Sequence, residues 1–384
     1  MERRTMPVSS DRRSLELRSK VSARGDLELW LEEFDVPEPA ANELVVQIDA
    51  APINPSDMII MFGPADLSTV RVEKTASGPT VMASIPRMRL PAVAGRIGQA
   101  LPVGNEGAGF VVKAGSDHEG LVGRAVAFRS SFGTYAQYRV IAASECMILP
   151  DGLNPKQAAS AFINPLTVLG MVESMKLEGH RALVHTAAAS NVGQMLNRLC
   201  LKDGIDLVNI VRSEEQAQSL RGLGATHVVN SASSGFDEEL MAALEDTGAT
   251  IAFDAIGGGT MASRILAGME RVQSRKLTSY SRYGSPTHRQ VYIYGILDPE
   301  PTRIDRSVGT AWSVGGWLMT WFCERIGAEA TQRLRDRVRS ELTTTFASDY
   351  AAEISLSDLL SPALITSYLK RATGQKYLLK PNAT

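Results

Sequence analysis

Cysteine is scarce in this chain. Three cysteines among 384 residues exclude a disulfide scaffold and a four-thiolate structural zinc site. Such usage suits a reducing compartment, and the cytoplasm is the expected location. An excess of either charge is also lacking: 40 Lys and Arg stand against 42 Asp and Glu, for a net charge of -2. A dedicated nucleic-acid binder would normally show a basic excess, so no nucleic-acid partner is expected. Long apolar runs are missing as well. The longest, Ala311–Cys323, is broken by Ser313, Gly315, Gly316 and Thr320. It falls short of the roughly 20 apolar residues that cross a bilayer, so it reads as a buried helix or an interface, and no membrane partner is expected. The basic N-terminus, MERRTMPVSSDRRS, leads into no apolar segment and reads as a frayed arm rather than a secretory signal.

What is present is an ordinary globular composition, 44% hydrophobic and 21% charged. Two regimes follow one another. From about residue 14 to 150 the chain is strand-like, with β-branched and apolar runs at Glu43–Ala51, Gly107–Ala114, Val122–Phe128 and Thr134–Ile141. From about residue 155 strands alternate with helices. The apolar runs Arg181–Ala187, Ile205–Val211, Thr226–Val229, Thr250–Phe253 and Val291–Tyr294 are separated by helical stretches. The first of these carries Val192, Met195, Leu196, Leu199 and Cys200 on one face. Ser213 caps the next, with Gln216 placed to complete a capping box. Such alternation implies a parallel, doubly wound sheet. The tail from about 345 ends in a strand-like YLLKP that is expected to return to the first domain.

The first strand of the second half runs into Ala188-Ala189-Ser190-Asn191-Val192-Gly193. A dinucleotide fold places G-x-G-x-x-G at this point; here Ala188 and Ser190 replace the first two glycines and Gly193 is kept. Small side chains still let the backbone approach a pyrophosphate, and the helix N-terminus faces its charge. The alternative is a tight turn that binds nothing. About 20 residues further on, where an acidic residue would select NAD, stand Val211-Arg212-Ser213. Arg212 can pair with a 2'-phosphate and Ser213 can add a hydroxyl, so NADPH is the expected cofactor. The alternative is a solvated Arg212 paired with Glu214 or Glu215.

At this point the chain resembles the medium-chain dehydrogenase/reductase superfamily, its zinc-free branch in particular, over residues 14 to 381. The resemblance rests on Ala50-Ala51-Pro52-Ile53-Asn54-Pro55-Ser56-Asp57, Gly104-Asn105-Glu106-Gly107-Ala108-Gly109 and Gly133-Thr134-Tyr135-Ala136-Gln137-Tyr138. Asn164-Pro165-Leu166-Thr167, Asp254 with Gly257-Gly258, and Thr373-Gly374-Gln375-Lys376 complete it. It implies an α/β fold with two domains and an active site in the cleft between them. Residues 14–160 with 345–384 would form a GroES-like β-barrel catalytic domain. Residues 161–344 would form a Rossmann doubly wound parallel sheet with a C-terminal helical extension. A homodimer is implied by resemblance alone.

The zinc-binding members of this superfamily use a cysteine where Asn54 stands and a histidine where Asn105 stands. Neutral amides are poor zinc ligands, so no metal is expected. Cys146, Cys200 and Cys323 read as buried hydrophobes, and His185 as a core residue. Without zinc to stabilise an alkoxide, alcohol oxidation is poorly supported, whereas a quinone or α,β-unsaturated carbonyl accepts hydride directly. Asn54 is the first candidate for orienting the substrate oxygen or the nicotinamide ribose, or else a turn-stabilising residue. Tyr135 could donate a proton, or be a buried phenol with a satisfied hydroxyl. By resemblance Asn164 and Thr167 lie near the nicotinamide, Gly257 joins the cofactor site, and Gly295 leaves room for the ring. Enoyl thioester reductases of this branch carry a proton-donating tyrosine where this chain has Ala65, which favours quinones or small enones over acyl thioesters. The basic stretch 64–102 is either a flap over the cleft or a solvated loop. Two other functions stay open: a 2-enoyl thioester reductase, and an NADPH-binding sensor or structural protein without turnover.

Overall fold

Alternation of inward and outward residues builds the first strands. In Arg13–Val21 (RSLELRSKV) Leu17, Ser19 and Val21 are buried while Arg18 and Lys20 between them are partly exposed, the period of two that a half-covered strand requires. The computed structural model describes residues 13–76, 78–369 and 376–383. Residues 1–12 of the expected frayed arm, and Thr373–Gln375 of the closing motif, lie outside the described residues. Arg13 and Ser14 do not belong to an arm: they open this strand, and Ser14 is buried. The chain divides into two units, Met1–Ile163 with Ala347–Thr384, and Asn164–Phe346.

The first unit is β-rich. Arg13–Val21, Asp26–Asp35, Asp66–Thr75, Gly78–Ser84 and Leu101–Pro102 form one sheet. Glu43–Pro52, Glu106–Ala114, Ala125–Arg129, Tyr138–Ala142, Cys146–Ile148, Ala352–Ile354 and Tyr377–Leu379 form the other. The C-terminal strand pairs antiparallel with Glu43–Pro52, as the tail pattern anticipates. A shared core of Leu17, Leu29, Leu44, Val46, Ile48, Phe62, Val126 and Phe128 fills the space between them. The stretch 64–102 is not an irregular loop. Asp66–Thr75 and Gly78–Ser84 pair as an antiparallel hairpin, and Arg71 pairs with Glu73 on it. Arg96 is buried, donating to the Ile60 carbonyl (2.8 Å) and the Ser19 hydroxyl (2.7 Å). Thr134–Gln137, expected in a strand, turn instead: Gly133 is left-handed (φ 82°), and the Thr134 and Tyr135 N–H groups share the Val103 carbonyl.

In the second unit six parallel strands lie side by side in the order His227–Asn230, Leu207–Val211, Leu183–His185, Ile251–Asp254, Arg289–Ile293, Trp312–Gly316. In chain order this is third, second, first, fourth, fifth, sixth, so the sheet reverses direction of growth between Leu183–His185 and Ile251–Asp254. Ligands of open α/β sheets bind outside the carboxyl ends of the strands at such a switch. Helices Asn191–Asp203, Glu214–Gly222, Phe236–Thr247 and Met261–Arg275 make the crossovers. The first and third end on left-handed glycines, Gly204 and Gly248, which need no Cβ there. Ala311–Cys323 is not one helix. Gly315 and Gly316 would each cost a helix about 1 kcal/mol, and Trp312–Gly316 instead pairs with Arg289–Ile293 as the outer strand, followed by the helix Met319–Ile326. Among the described residues no helix is long and apolar enough to cross a membrane.

The basic segment 271–289 divides by burial. Tyr280 and Tyr283 are exposed, whereas Arg289 is fully buried. Arg289 pairs with Glu270 at 2.6 Å and donates to the Thr287 and Val308 carbonyls. Glu270 also accepts from the Ser274 hydroxyl and the Ser285 N–H. Removing one member of a buried pair strands the other charge. Arg289→Met is expected to lower unfolding stability by about 3–5 kcal/mol, with Glu270→Gln in the same chain restoring part of it. Urea unfolding of both variants checks this, and an Arg289→Met midpoint equal to that of the parent would refute it.

Candidate active site

In the first unit the strand Glu43–Pro52 leads into a turn closed by the short helix Asp57–Met61. Asp57 is fully buried beneath that turn. Its Oδ2 accepts from the Asn54 N–H (2.8 Å) and lies 2.8 Å from the Tyr135 hydroxyl, while Oδ1 accepts from Asn105 Nδ2 (2.7 Å). The Tyr135 hydroxyl also reaches the Pro52 carbonyl at 3.1 Å. Burial pushes the Asp57 carboxyl up to about 7, outweighing the Asn54 and Tyr135 hydrogen bonds; Glu106 adds to the rise and Lys376 opposes it. A protonated Asp57 can donate to the Tyr135 oxygen while Tyr135 donates to Pro52. Either way the Tyr135 hydrogen is used inside the protein, and with its ring fully buried Tyr135 holds the turn in place.

Glu106, at 1% exposure, is the second buried carboxylate. One oxygen accepts from Asn54 Nδ2 (2.8 Å), the other from the Phe162 and Ile163 N–H groups (2.9 Å each). Burial raises its pKa; Lys376 and these donors work against the rise. An ionised carboxylate can only accept, so the Asn54 amide must turn its NH2 toward Glu106. Its oxygen, Oδ1, is then left buried with no partner among the described residues. An unmet buried acceptor costs about 1–3 kcal/mol. Lys376 donates to the Ser160 hydroxyl at 2.7 Å, and Ser160 lies 2.9 Å from the Tyr350 hydroxyl. Burial lowers the Lys376 ammonium to about 8, with Glu106 and Asp57 holding it up.

In the second unit the residues expected to hold a cofactor gather at the carboxyl ends of the strands. After Leu183–His185 the turn passes through Ala187, whose φ of 51° makes it the one non-glycine residue in the left-handed region among the described residues. Ser190 caps the helix Asn191–Asp203 by accepting from the Gly193 N–H (3.2 Å). A Cβ on Gly193 would lie 2.1 Å from the Ala188 carbonyl oxygen, so only glycine lets the helix come this close to the turn. Asn191 and Val192 are partly exposed on that first helical turn. Ala188 is fully buried in a small apolar cluster with Val211, Ala217 and Leu220; only its backbone is left to face a phosphate. Arg212 is exposed, and Glu214 pairs with Arg221 rather than with it. Ser213 accepts from the Gln216 N–H (3.3 Å), but the Gln216 side chain reaches the Arg212 N–H, so the expected capping box closes one residue early.

Asp254 ends the fourth strand in the sheet order. It accepts from the Thr186 hydroxyl (2.7 Å) and from the Ile256 and Gly257 N–H groups. Gly257 and Gly295 then meet across the strand ends: a Cβ on Gly257 would lie 2.6 Å from the Gly295 oxygen, and one on Gly295 2.4 Å from the Ala255 oxygen. The place a Cβ on Gly295 would take is occupied by the backbone of Ala255. Asn164 and Thr167 sit one turn apart, both buried, at the start of the helix Ile163–Leu177. The sequence reading passed over Glu106, Lys376 and Tyr294. The glutamate is the part of a G-H-E pattern retained in Gly104-Asn105-Glu106, and the lysine closes the last motif; those were the available signals.

Residues 191–270 match the zinc-binding dehydrogenase family. A mitochondrial enoyl-(acyl-carrier-protein) reductase of Xenopus tropicalis is 29% identical over 208 residues, 52% of this chain and 51% of that protein. A quinone oxidoreductase of Salmonella typhimurium is 26% identical over 231 residues, 59% of this chain and 62% of that protein. These matches thus span about half to three fifths of the relatives' length. The crystal structure of a candidate NADPH:quinone reductase from Mesorhizobium loti covers 98% of this chain and 100% of its own, with a TM-score of 0.71 at 24% identity. That likeness shows the fold: a GroES-like unit and a Rossmann sheet.

The buried position of Asp57 has a measurable consequence. Its carboxyl, raised from 3.8 to about 7, binds a proton in the folded state that the unfolded chain has already lost. Its contribution to stability therefore falls as pH rises from about 4 to 7, by up to about 4 kcal/mol. Asp57→Asn, which mimics the protonated form, is expected to flatten that part of the profile. Urea midpoints at pH 5 and pH 8 for both proteins test this, and parallel slopes would count against it.

Proposed function

We propose that the chain is a member of the medium-chain dehydrogenase/reductase superfamily and a zinc-independent, NADPH-dependent oxidoreductase acting on a quinone or an α,β-unsaturated carbonyl. The observation that carries this reading is the pairing, at one sheet switch point, of a tight helix-capping turn with an exposed arginine at the next strand end. The turn fits a pyrophosphate: Gly193 admits no side chain, and the helix N-terminus offers its N–H groups. The exposed Arg212 fits a 2'-phosphate. When bound, the dinucleotide supplies two electrons and a hydrogen as hydride. The relatives described above support a redox role, one through quinones and one through enoyl thioesters.

The residues present do not fit a catalytic zinc. Asn54 and Asn105 are neutral, and the Nδ2 of each is already committed, to Glu106 and to Asp57. Among the described residues no group of three or more His, Cys, Asp or Glu could hold a metal. The match to the zinc-binding dehydrogenase family, residues 191–270, includes none of the first-unit donors. With no cation to stabilise an alkoxide, reduction of an acceptor that is already polarised is the supported chemistry.

Asn54 narrows what the first unit offers a ligand. Its free group is an acceptor, so it serves a hydroxyl or amide donor, such as a ribose hydroxyl, and does not stabilise an oxyanion. Of the two roles expected for Asn54, this favours the cofactor side. Asn164, Thr167 and Gly257 are proposed near the nicotinamide end on resemblance. A cytoplasmic homodimer belongs to the same proposal.

Enoyl thioester reduction is the second reading, favoured by the Xenopus relative; the buried Ala65, standing in place of a phenol, weighs against it. NADPH oxidation is assayed with a quinone, a small enone and an enoyl thioester, all with EDTA. Turnover of the first two is expected. Activity rising with acyl length on the thioester would transfer the conclusion to the second reading, and no turnover of any acceptor would refute both. Arg212→Ala is expected to weaken NADPH binding by about tenfold to a hundredfold, corresponding to ~1.5–3 kcal/mol for charge-assisted hydrogen bonds, and to leave NADH binding unchanged. Equal affinity of the parent protein for NADH and NADPH, by fluorescence titration, would remove the cofactor assignment.

A further inference from the structure

One buried titratable pair in the second unit has no part in the chemistry so far. His185, the last residue of the strand Leu183–His185, is fully buried. Its Nε2 lies 2.7 Å from the Tyr294 hydroxyl, and the two rings stack with centroids 5.8 Å apart. Tyr294 follows the strand Arg289–Ile293 directly and is only partly buried. It sits beside Gly295 at the carboxyl edge, where an open α/β sheet presents its ligand. The hydroxyl end of the side chain is thus held at the buried His185, and burial raises the phenol above its ordinary range; the residue lies at the edge where reduction is proposed.

The proton on His185 decides what Tyr294 can do. Burial keeps the imidazole neutral, lowering it to about 3, so it carries one N–H. Its Nδ1 has no partner among the described residues. Asn209, opposite in the strand register, has its own Oδ1 unmet, so the two groups do not bond to each other. Orphaned buried N–H donors are rarer than orphaned acceptors. The N–H therefore belongs on Nε2, where it donates to the Tyr294 oxygen. That leaves the Tyr294 hydrogen uncommitted and directed away from the histidine.

We propose that Tyr294, oriented by His185, is the acid that protonates the reduced acceptor, the part for which position 65 offers only alanine. This rests on the oxidoreductase reading above. For an enone the step balances as follows. The β-carbon gains a C–H bond and two electrons as hydride, and the C=C pair moves onto the α-carbon. The Tyr294 O–H bond breaks, its proton forms the new bond at that carbon, and solvent returns a proton to the phenolate. Tyr294 is the catalytic residue; His185 is a positioning residue.

The test uses the full-length protein, NADPH and an α-methyl cyclic enone, with three readouts. Tyr294→Phe is expected to lower kcat by about a hundredfold or more, the range of general-acid contributions. NADPH affinity, by fluorescence titration, should hold within about twofold, since the phenol is not assigned to the binding of the dinucleotide. The product should change from one enantiomer at the α-carbon to a racemate, because solvent delivers to either face; a merely structural role would not scramble it. In the unmodified protein, nitrogen-15 NMR should place the His185 proton on Nε2, a result that needs no variant. A proton on Nδ1, or a Tyr294→Phe enzyme with unchanged rate and stereochemistry, overturns the assignment while the oxidoreductase reading stands. If the parent protein reduces no acceptor, the reading fails and this assignment falls with it.

Discussion

A single hydrogen bond, from Asn54 Nδ2 to Glu106, gives the first unit its chemical sense. An amide end is ambiguous on shape alone: oxygen and NH2 occupy nearly the same volume. A carboxylate on one side removes the ambiguity, because it can accept and cannot donate. Glu106 is in turn fixed by two backbone N–H groups, so neither partner can rotate without leaving a buried group unmet. The consequence reaches past the pair itself. The group left over is an acceptor, and a ligand that meets it must bring a hydrogen. A site built with the same residues in the opposite sense would serve an oxyanion, and the reaction it supported would differ.

In the second unit the governing constraint is backbone proximity at the strand ends. Gly193, Gly257 and Gly295 are glycines because protein backbone occupies the place a Cβ would take. This changes how such residues are to be understood. Gly193 and Gly295 both fall where a cofactor-binding residue is expected. Gly193 acts by letting the helix N-terminus approach the turn. Gly295 instead lets the chain after one strand pack on Ala255 of its neighbour, and whatever it contributes to a ligand is indirect. The residue type is the same and the demand is different.

The doubly wound sheet was legible because its signals are local: short apolar runs, helical faces and a strand–turn–helix motif contiguous in sequence. The turn at Ala188–Gly193 and the end of the second strand at Val211 could be placed the same way. The stretch 64–102 was misread because exposed, charged strands such as Asp66–Thr75 carry no strong alternation. Ala311–Cys323 was misread because an apolar run does not state its own period. The polar chemistry was hardest to read. Asn54 and Glu106 are 52 residues apart, His185 and Tyr294 109, and Lys376 and Ser160 216. Pairings at such separations are set by the sheets, and no propensity or motif announces them. Tyr135 shows the converse: its motif made it conspicuous, and only its burial against Asp57 revealed that its proton is engaged.

Charge balance governs the buried carboxylates of the first unit. Asp57 and Glu106 are both buried, and each burial is unfavourable to the ionised form. The cation that the structure sets against them is Lys376, half-buried and itself pushed down toward neutrality. Two anions and one such cation leave the cluster with an excess negative charge when all three are ionised. Protonation of one carboxylate removes that excess, and geometry selects which one. Glu106 receives three N–H donors, which a neutral acid accepts less well and with one lone pair fewer, and none of its partners can accept a proton from it, whereas Asp57 can pass a proton to the Tyr135 oxygen while Tyr135 turns to the Pro52 carbonyl. Neutralisation of this buried anionic pair therefore falls to a proton on Asp57 and the ammonium of Lys376, so the electrostatics of the first unit become sensitive to pH near neutrality.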